Sequence, residues 1–115
     1  MPFRPRQSTL PLTPISFEIL LALLDEDQHG YAVLQIVEAR VGATIPMRTG
    51  TIYRALARLM DEGFIAEADA AGGDDRRRTY RITKEGRAIA RAEAERLADQ
   101  VAAARARRLL PGHRR

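Results

Sequence analysis

Three stretches of helical periodicity, two short alternating segments around a Gly-Gly-Asp-Asp turn, and one long Ala-rich helical stretch predict a mainly α fold with a small β-hairpin. The elements are expected in the order helix, helix, helix, hairpin, long helix. At 115 residues the chain has the size of one domain, and its 45% hydrophobic content supports a modest core. A catalytic domain beside a regulatory one does not fit in that length.

Residues 1–12, "MPFRPRQSTLPL", hold three prolines with Arg4 and Arg6, and are expected to form a flexible N-terminal arm. Thr13-Pro14 then supplies an N-cap followed by a proline at N1, the favoured opening of a helix. The helix itself, "ISFEILLALLDE", is apolar on nearly every side, so it must be covered on more than one face. "DQHG" breaks it. A second helix, "YAVLQIVEARVG", carries Val33, Ile36, Val37 and Val41 at helical spacing and stops at Gly42.

The third helix is expected from about Thr49 to Glu62, closed by Gly63. At about 100° per residue, Ile52, Leu56, Leu59 and Met60 share one arc, while Gly50, Thr51, Arg54, Ala57, Arg58 and Asp61 share the other. Its cations stand toward the N-terminal end, with Asp61 and Glu62 at the far end. That order reverses the preference set by the helix macrodipole and points to an anionic partner near the N-terminus. "FIAEA" and "RTYRIT" alternate with period two on either side of Gly72-Gly73-Asp74-Asp75 and form the hairpin. Thr83 caps a final helix from Lys84 to Leu110, about 40 Å long, which Pro111-Gly112 ends.

Three helices followed by a two-stranded hairpin make the pattern of a winged helix-turn-helix, whose third helix enters the major groove while the hairpin reaches the adjoining backbone. The predicted organisation is the arm (1–12), a winged-helix domain (13–83), a long C-terminal dimerisation helix (84–110) and a basic tail (111–115). Charge agrees with a polyanionic partner: the net charge is +4, with positive charge concentrated in the arm, the last helix and tail, and the local run Arg76-Arg77-Arg78. Lys84 is the only lysine. An arginine excess suits bidentate phosphate or guanine contacts, although genomic codon preference produces the same excess.

The absence of cysteine excludes disulfide frameworks, thiolate nucleophiles and zinc fingers. Of the two histidines, His29 precedes Gly30 in a turn and His113 lies in the tail, so no metal site is expected, nor a cofactor or catalytic residues. No apolar run reaches the roughly 18 residues of a membrane span, and no signal-peptide core precedes the domain. A soluble, cytoplasmic protein is expected.

Three motifs, "HGYAVLQIVEA" (29–39), "RTGTIYRALARLMDEGFI" (48–65) and "RRRTYRITKEGRAIA" (76–90), resemble in order and spacing the PadR family of bacterial transcriptional regulators. The resemblance runs from about Thr13 to Ala90, and the single C-terminal helix looks like the short subfamily. It implies a homodimeric repressor on a palindromic operator, released in some members by a small molecule or stress signal. Carried over by position, Thr49, Gly50, Thr51, Tyr53 and Arg54 begin the recognition helix, Tyr31 is a phosphate contact, and Arg76, Arg77 and Arg78 lie on the wing. Many members have proline after the motif tyrosine where this chain has Arg54, which could read guanine N7 and O6.

The residues also allow plainer roles. Tyr53 lies beside the apolar arc, Arg58 can pair with Asp61 or Glu62, and of three consecutive strand arginines only two can share a face. The main alternative function is a winged-helix module for binding another protein.

In the last helix, Ala90, Ala94, Leu97, Val101 and Ala104 follow a 4-3-4-3 spacing, the seam of a helix that packs on another. It is expected to meet its counterpart in a second copy and that copy's first helix, through residues such as Ile19 and Leu23. The resemblance adds a small hydrophobic effector as a partner between the dimer helices; an alanine-rich seam leaves a narrow slot or none.

Overall fold

A computed structural model describes residues 10–68 and 77–111. The chain runs α1 (Pro14–Asp25), β1 (Gln28–His29), α2 (Gly30–Val41), α3 (Thr49–Asp61), β2 (Ile65–Glu67), β3 (Thr79–Ile82) and α4 (Lys84–Ala106). The strands form an antiparallel sheet in the order β1-β3-β2, with Ile65 opposite Ile82, Glu67 opposite Tyr80 and Gln28 also opposite Tyr80.

Local chemistry accounts for most boundaries. The Thr13 hydroxyl accepts the Ser16 N–H at 3.1 Å and Pro14 opens α1, as expected. Gly63 ends α3 at φ +82°, with Gly63 N–H donating to Met60 O and Phe64 N–H to Leu59 O. This paired arrangement closes the helix and needs a residue tolerant of positive φ. Gly42 instead ends α2 in a right-handed conformation, its N–H on Glu38 O.

One core joins all the helices. Ile19, Leu20 and Leu23 of α1 meet Val33 and Val37 of α2, Ile52, Leu56 and Leu59 of α3, Phe64, Ile65, Tyr80 and Ile82 of the sheet, and Ile89 and Ala90 of α4. The division expected between Thr83 and Lys84 is therefore a helix cap and not a break in packing. The Thr83 hydroxyl accepts Gly86 N–H at 3.0 Å and donates to Gly63 O at 2.7 Å, so the end of α3 and the start of α4 share one residue.

The structure departs from the sequence expectations at several places. The "DQHG" break contains β1, a two-residue strand that the period-two pattern cannot register. The expected arm is shorter at its C-terminal end: Leu12 is buried and Leu10 packs on the core. Arg4 and Arg6, the Gly72–Asp75 hairpin tip, Arg76, His113 and the rest of the tail beyond Pro111 lie outside the described residues.

Helix α4 stops at Ala106 and not at Leu110. Arg108 takes φ +62°, and Leu109 N–H turns back to Ala104 O, closing the helix with an arginine where glycine is usual. At 23 residues α4 is about 35 Å long. It is buried only at Gly86, Ile89, Ala90 and Glu93, and beyond Leu97 it stands largely in solvent.

Candidate nucleic-acid interface

The site begins with the two faces of α3. Ile52, Leu56 and Leu59 are sealed into the core, whereas Arg48, Thr49, Arg54, Ala57, Arg58 and Asp61 are exposed and Gly50 and Thr51 half-buried. No acid occupies the first turn. The exposed arc thus presents Arg48, Arg54 and Arg58 along its working length and leaves Asp61 and Glu62 at the far end. Arg48, outside the list drawn from the motifs, stands at the N-cap and extends the cationic series; its place directly before Thr49 was the available signal.

Each residue at the start of α3 has an identifiable local role. The Thr51 hydroxyl accepts Arg48 N–H at 3.3 Å, and Thr51 N–H donates to Arg48 O at 2.9 Å, so Thr51 helps to cap the helix that it was expected to aim at DNA. Arg54 folds back along the helix over Gly50: a β-carbon at Gly50 would lie 2.9 Å from Arg54 Nη1. Gly50 thus gives room to the guanidinium of its own helix.

The Tyr53 ring packs against the core and its hydroxyl oxygen is enclosed, so in the free protein the side chain faces inward. Its position beside the apolar arc explains this, because a half-buried aromatic ring buries more area by turning toward the core.

Two open grooves carry cations. Thr13, Ile15 and Ser16 at the start of α1 face Thr51, Arg54, Ala55 and Arg58 of α3 across one of them, about 270 Å³ in volume. The other is lined by His29, Tyr31, Ala32, Gln35 and Arg77, bringing the start of α2 to the base of the wing. Tyr31 is 44% exposed there. Backbone pairing holds this second groove together: Gly30 N–H donates to Arg78 O at 3.0 Å, and His29 Nδ1, carrying its proton, donates to Arg77 O at 3.0 Å.

The wing arginines separate. Arg77 is exposed, whereas Arg78 Nε lies 3.6 Å from Glu67 Oε2 across the sheet. Arg81, exposed on β3 between buried Tyr80 and Ile82, is a further cation of the wing that the motifs did not single out.

The expected dimer seam is likewise divided. Ile19 and Leu23 are fully enclosed within the protomer, so these two do not form an outward face, whereas Ala90 packs against the same core and also lines a groove between α4 and α1. The surface of α1 beside α4 is instead made by Phe17, Leu21 and Leu24, which with Arg87, Arg91 and Ala94 line a groove of about 270 Å³. Farther along α4, Leu97 and Ala104 are half-buried and Val101 is exposed, as are Leu109 and Leu110 just past its end. Among the described residues, no group of three or more His, Cys, Asp or Glu could hold a metal ion, and no helix is long and apolar enough to cross a membrane.

The sequence pattern of the transcriptional regulator PadR-like family matches residues 19–92, from α1 through the first part of α4. The chain belongs to that family. Solved structures agree with the assignment. A transcriptional regulator from Clostridium thermocellum is 29% identical with a TM-score of 0.61, over 76% of this chain and 84% of that one. A PadR family transcription regulator from Clostridium difficile is 25% identical with a TM-score of 0.61, over 77% of this chain and 94% of its own. RosR of H. salinarum is 25% identical with a TM-score of 0.60, over 81% and 77%. No curated protein matches in sequence. The chain is thus a PadR-like transcriptional regulator of the DNA-binding, winged-helix kind, and its structural neighbours are regulators rather than enzymes.

Proposed function

We propose that this PadR-like regulator is a homodimeric repressor whose α3 lies in the major groove of a palindromic operator. The supporting observation is the division of α3 into a sealed apolar face and an exposed face bearing Arg48, Arg54 and Arg58 with no acid in the first turn. Arg54 is the residue for base readout through guanine, with Thr49, Gly50, Thr51 and Arg58 beside it. Tyr31 and Arg77 hold phosphate from the second groove, joined by Arg76, while Arg78 is engaged by Glu67. A cytoplasmic location accompanies that role.

Dimerisation uses the exposed length of α4, through Ala94, Leu97, Val101 and Ala104, together with Phe17, Leu21 and Leu24 of the partner's α1. An exposed helix of this length, carrying Val101 in solvent and followed by exposed Leu109 and Leu110, favours a second copy. The same groove between α1 and α4 suits a small hydrophobic effector, whose binding would release the operator. The cationic working end of α3 favours DNA over a protein partner.

The test is an electrophoretic mobility shift with the DNA upstream of the chain's own coding sequence, with sedimentation at micromolar concentration alongside. A retarded complex and a dimer are expected. A monomer, or no preference for that fragment over mixed-sequence DNA, would contradict the proposal.

A further inference from the structure

His29 occupies the N-cap position of α2, yet its side chain makes no cap bond to that helix. Its ring turns to the wing instead. Nδ1 lies 3.0 Å from Arg77 O and 3.0 Å from the hydroxyl of Thr79, the residue directly opposite His29 in the pairing of β1 with β3. A carbonyl oxygen only accepts, so Nδ1 carries the proton of the neutral ring, and the Thr79 oxygen accepts a second branch of the same N–H. A bare Nδ1 taking the Thr79 proton would set a nitrogen lone pair against the Arg77 carbonyl. The bond thus fixes the tautomer, with Nε2 left as the acceptor edge.

The shortness of β1 explains what this bond is for. At two residues it is below the usual length of a strand, and it pairs with β3 at Gln28 and His29. One backbone bond follows, from Gly30 N–H to Arg78 O at 3.0 Å. The His29 side chain reaches farther along the wing than this ladder does, to the backbone of Arg77. His29, Tyr31 and Arg77 line one groove of about 470 Å³, so a bond to the Arg77 backbone sets where that residue stands across the groove from Tyr31.

We propose that His29 is a positioning residue for DNA binding: through Nδ1–H it holds the base of the wing against α2, so that Tyr31 and Arg77 close on the same stretch of phosphate backbone. The inference rests on this groove meeting DNA phosphate. His29 acts through Arg77 and need not touch the DNA itself. It also explains why the N-cap of α2 is given to a residue that does not cap.

Two measurements on the full chain test it. The first needs no DNA: long-range proton–nitrogen NMR correlations at about pH 8, where an ordinary imidazole is neutral, on a His113→Gln chain in which His29 is the remaining histidine. The Nδ1–H tautomer is expected, and a predominant Nε2–H tautomer overturns the clamp. The second follows binding to a mixed-sequence duplex by fluorescence anisotropy over a salt series, for His29→Ser in the parent and Arg77→Ala backgrounds. Serine is a favoured N-cap, so the variant should keep the stability of α2 while losing the reach to Arg77. It should weaken binding severalfold and make the slope of log affinity against log salt shallower by about 1, with no further effect once Arg77 is alanine. Should it fail to fold, His29→Gln, which moves the amide beyond the Nδ1 position, takes its place in both backgrounds. Equal weakening in the two backgrounds, or none in either, overturns the positioning role. A parent that binds no duplex, or whose slope is unchanged by Arg77→Ala, while the Nδ1–H tautomer is present, contradicts instead the reading of the groove as a phosphate site.

Discussion

Gly86 lies so close beneath the Phe64 carbonyl oxygen that a β-carbon on Gly86 would collide with it and would also come within 2.7 Å of Ile82 Cγ1. The contact locks the first turn of α4 to the short connection between α3 and β2. Gly86→Ala should therefore destabilise the domain by about 1 to 3 kcal/mol, the usual range for overpacking, despite alanine's better helix propensity. A urea titration checks this, and a stability equal to or above the parent would show that the backbone yields easily there.

Gly50 offers the opposite case. Only the far end of the Arg54 side chain occupies the space that a β-carbon would enter. Gly50→Ala should leave stability unchanged or raise it by up to about 1 kcal/mol through helix propensity, while weakening operator binding because Arg54 is displaced. Thermal unfolding and anisotropy with the upstream fragment separate the two effects; loss of stability with unchanged binding would be the contrary result.

Arg77 and Arg78 should behave differently. Arg77→Ala should weaken binding to all DNA sequences alike and lower the salt slope by about 1. Arg78, engaged by Glu67, should change the slope little when replaced by alanine. Salt titrations on mixed-sequence duplex compare them directly, and a larger slope change for Arg78 would mean that the ion pair opens on DNA.

Glu93 links stability to pH. Hydrogen bonds from Arg96 hold its carboxyl below the usual carboxylate range, aided by Leu12 N–H and opposed by burial. A folded-state pKa below the unfolded value gives stability that is present above the unfolded pKa and lost as pH falls through the folded one. Urea midpoints should thus decline below about pH 4, and the decline should be shallower in Glu93→Gln. Parallel pH profiles for the two proteins would show that other carboxylates carry the acid limb.

Most of the architecture was legible because it rests on short-range chemistry. Thr13-Pro14, Gly63 and Thr83 act at the boundaries that capping rules assign them, and the division of α3 into two arcs follows from its period. What escaped depends on contacts between distant residues. An all-round apolar α1 says that several faces are covered but not which face meets which neighbour, so Ile19 and Leu23 were placed outward when they belong to the core. Tyr53 sits at the edge of an arc, where tertiary packing decides its direction. The Arg78–Glu67 pair depends on strand register, and β1 exists only because β3 offers it an edge. Arg108 ends α4 in a conformation that arginine does not announce.

The central claim is that the exposed arc of α3 reads DNA sequence through Arg54. In vitro selection from a random duplex library, performed with the full chain and with Arg54→Ala, tests it most directly. The parent should enrich a two-fold symmetric sequence with half-sites about one helical turn apart. The variant should lose preference at one position per half-site, at a cost of about 1 to 3 kcal/mol on the parent's sequence and little on random DNA. Enrichment of no sequence by the parent, or of the same sequence with equal strength by the variant, would contradict it.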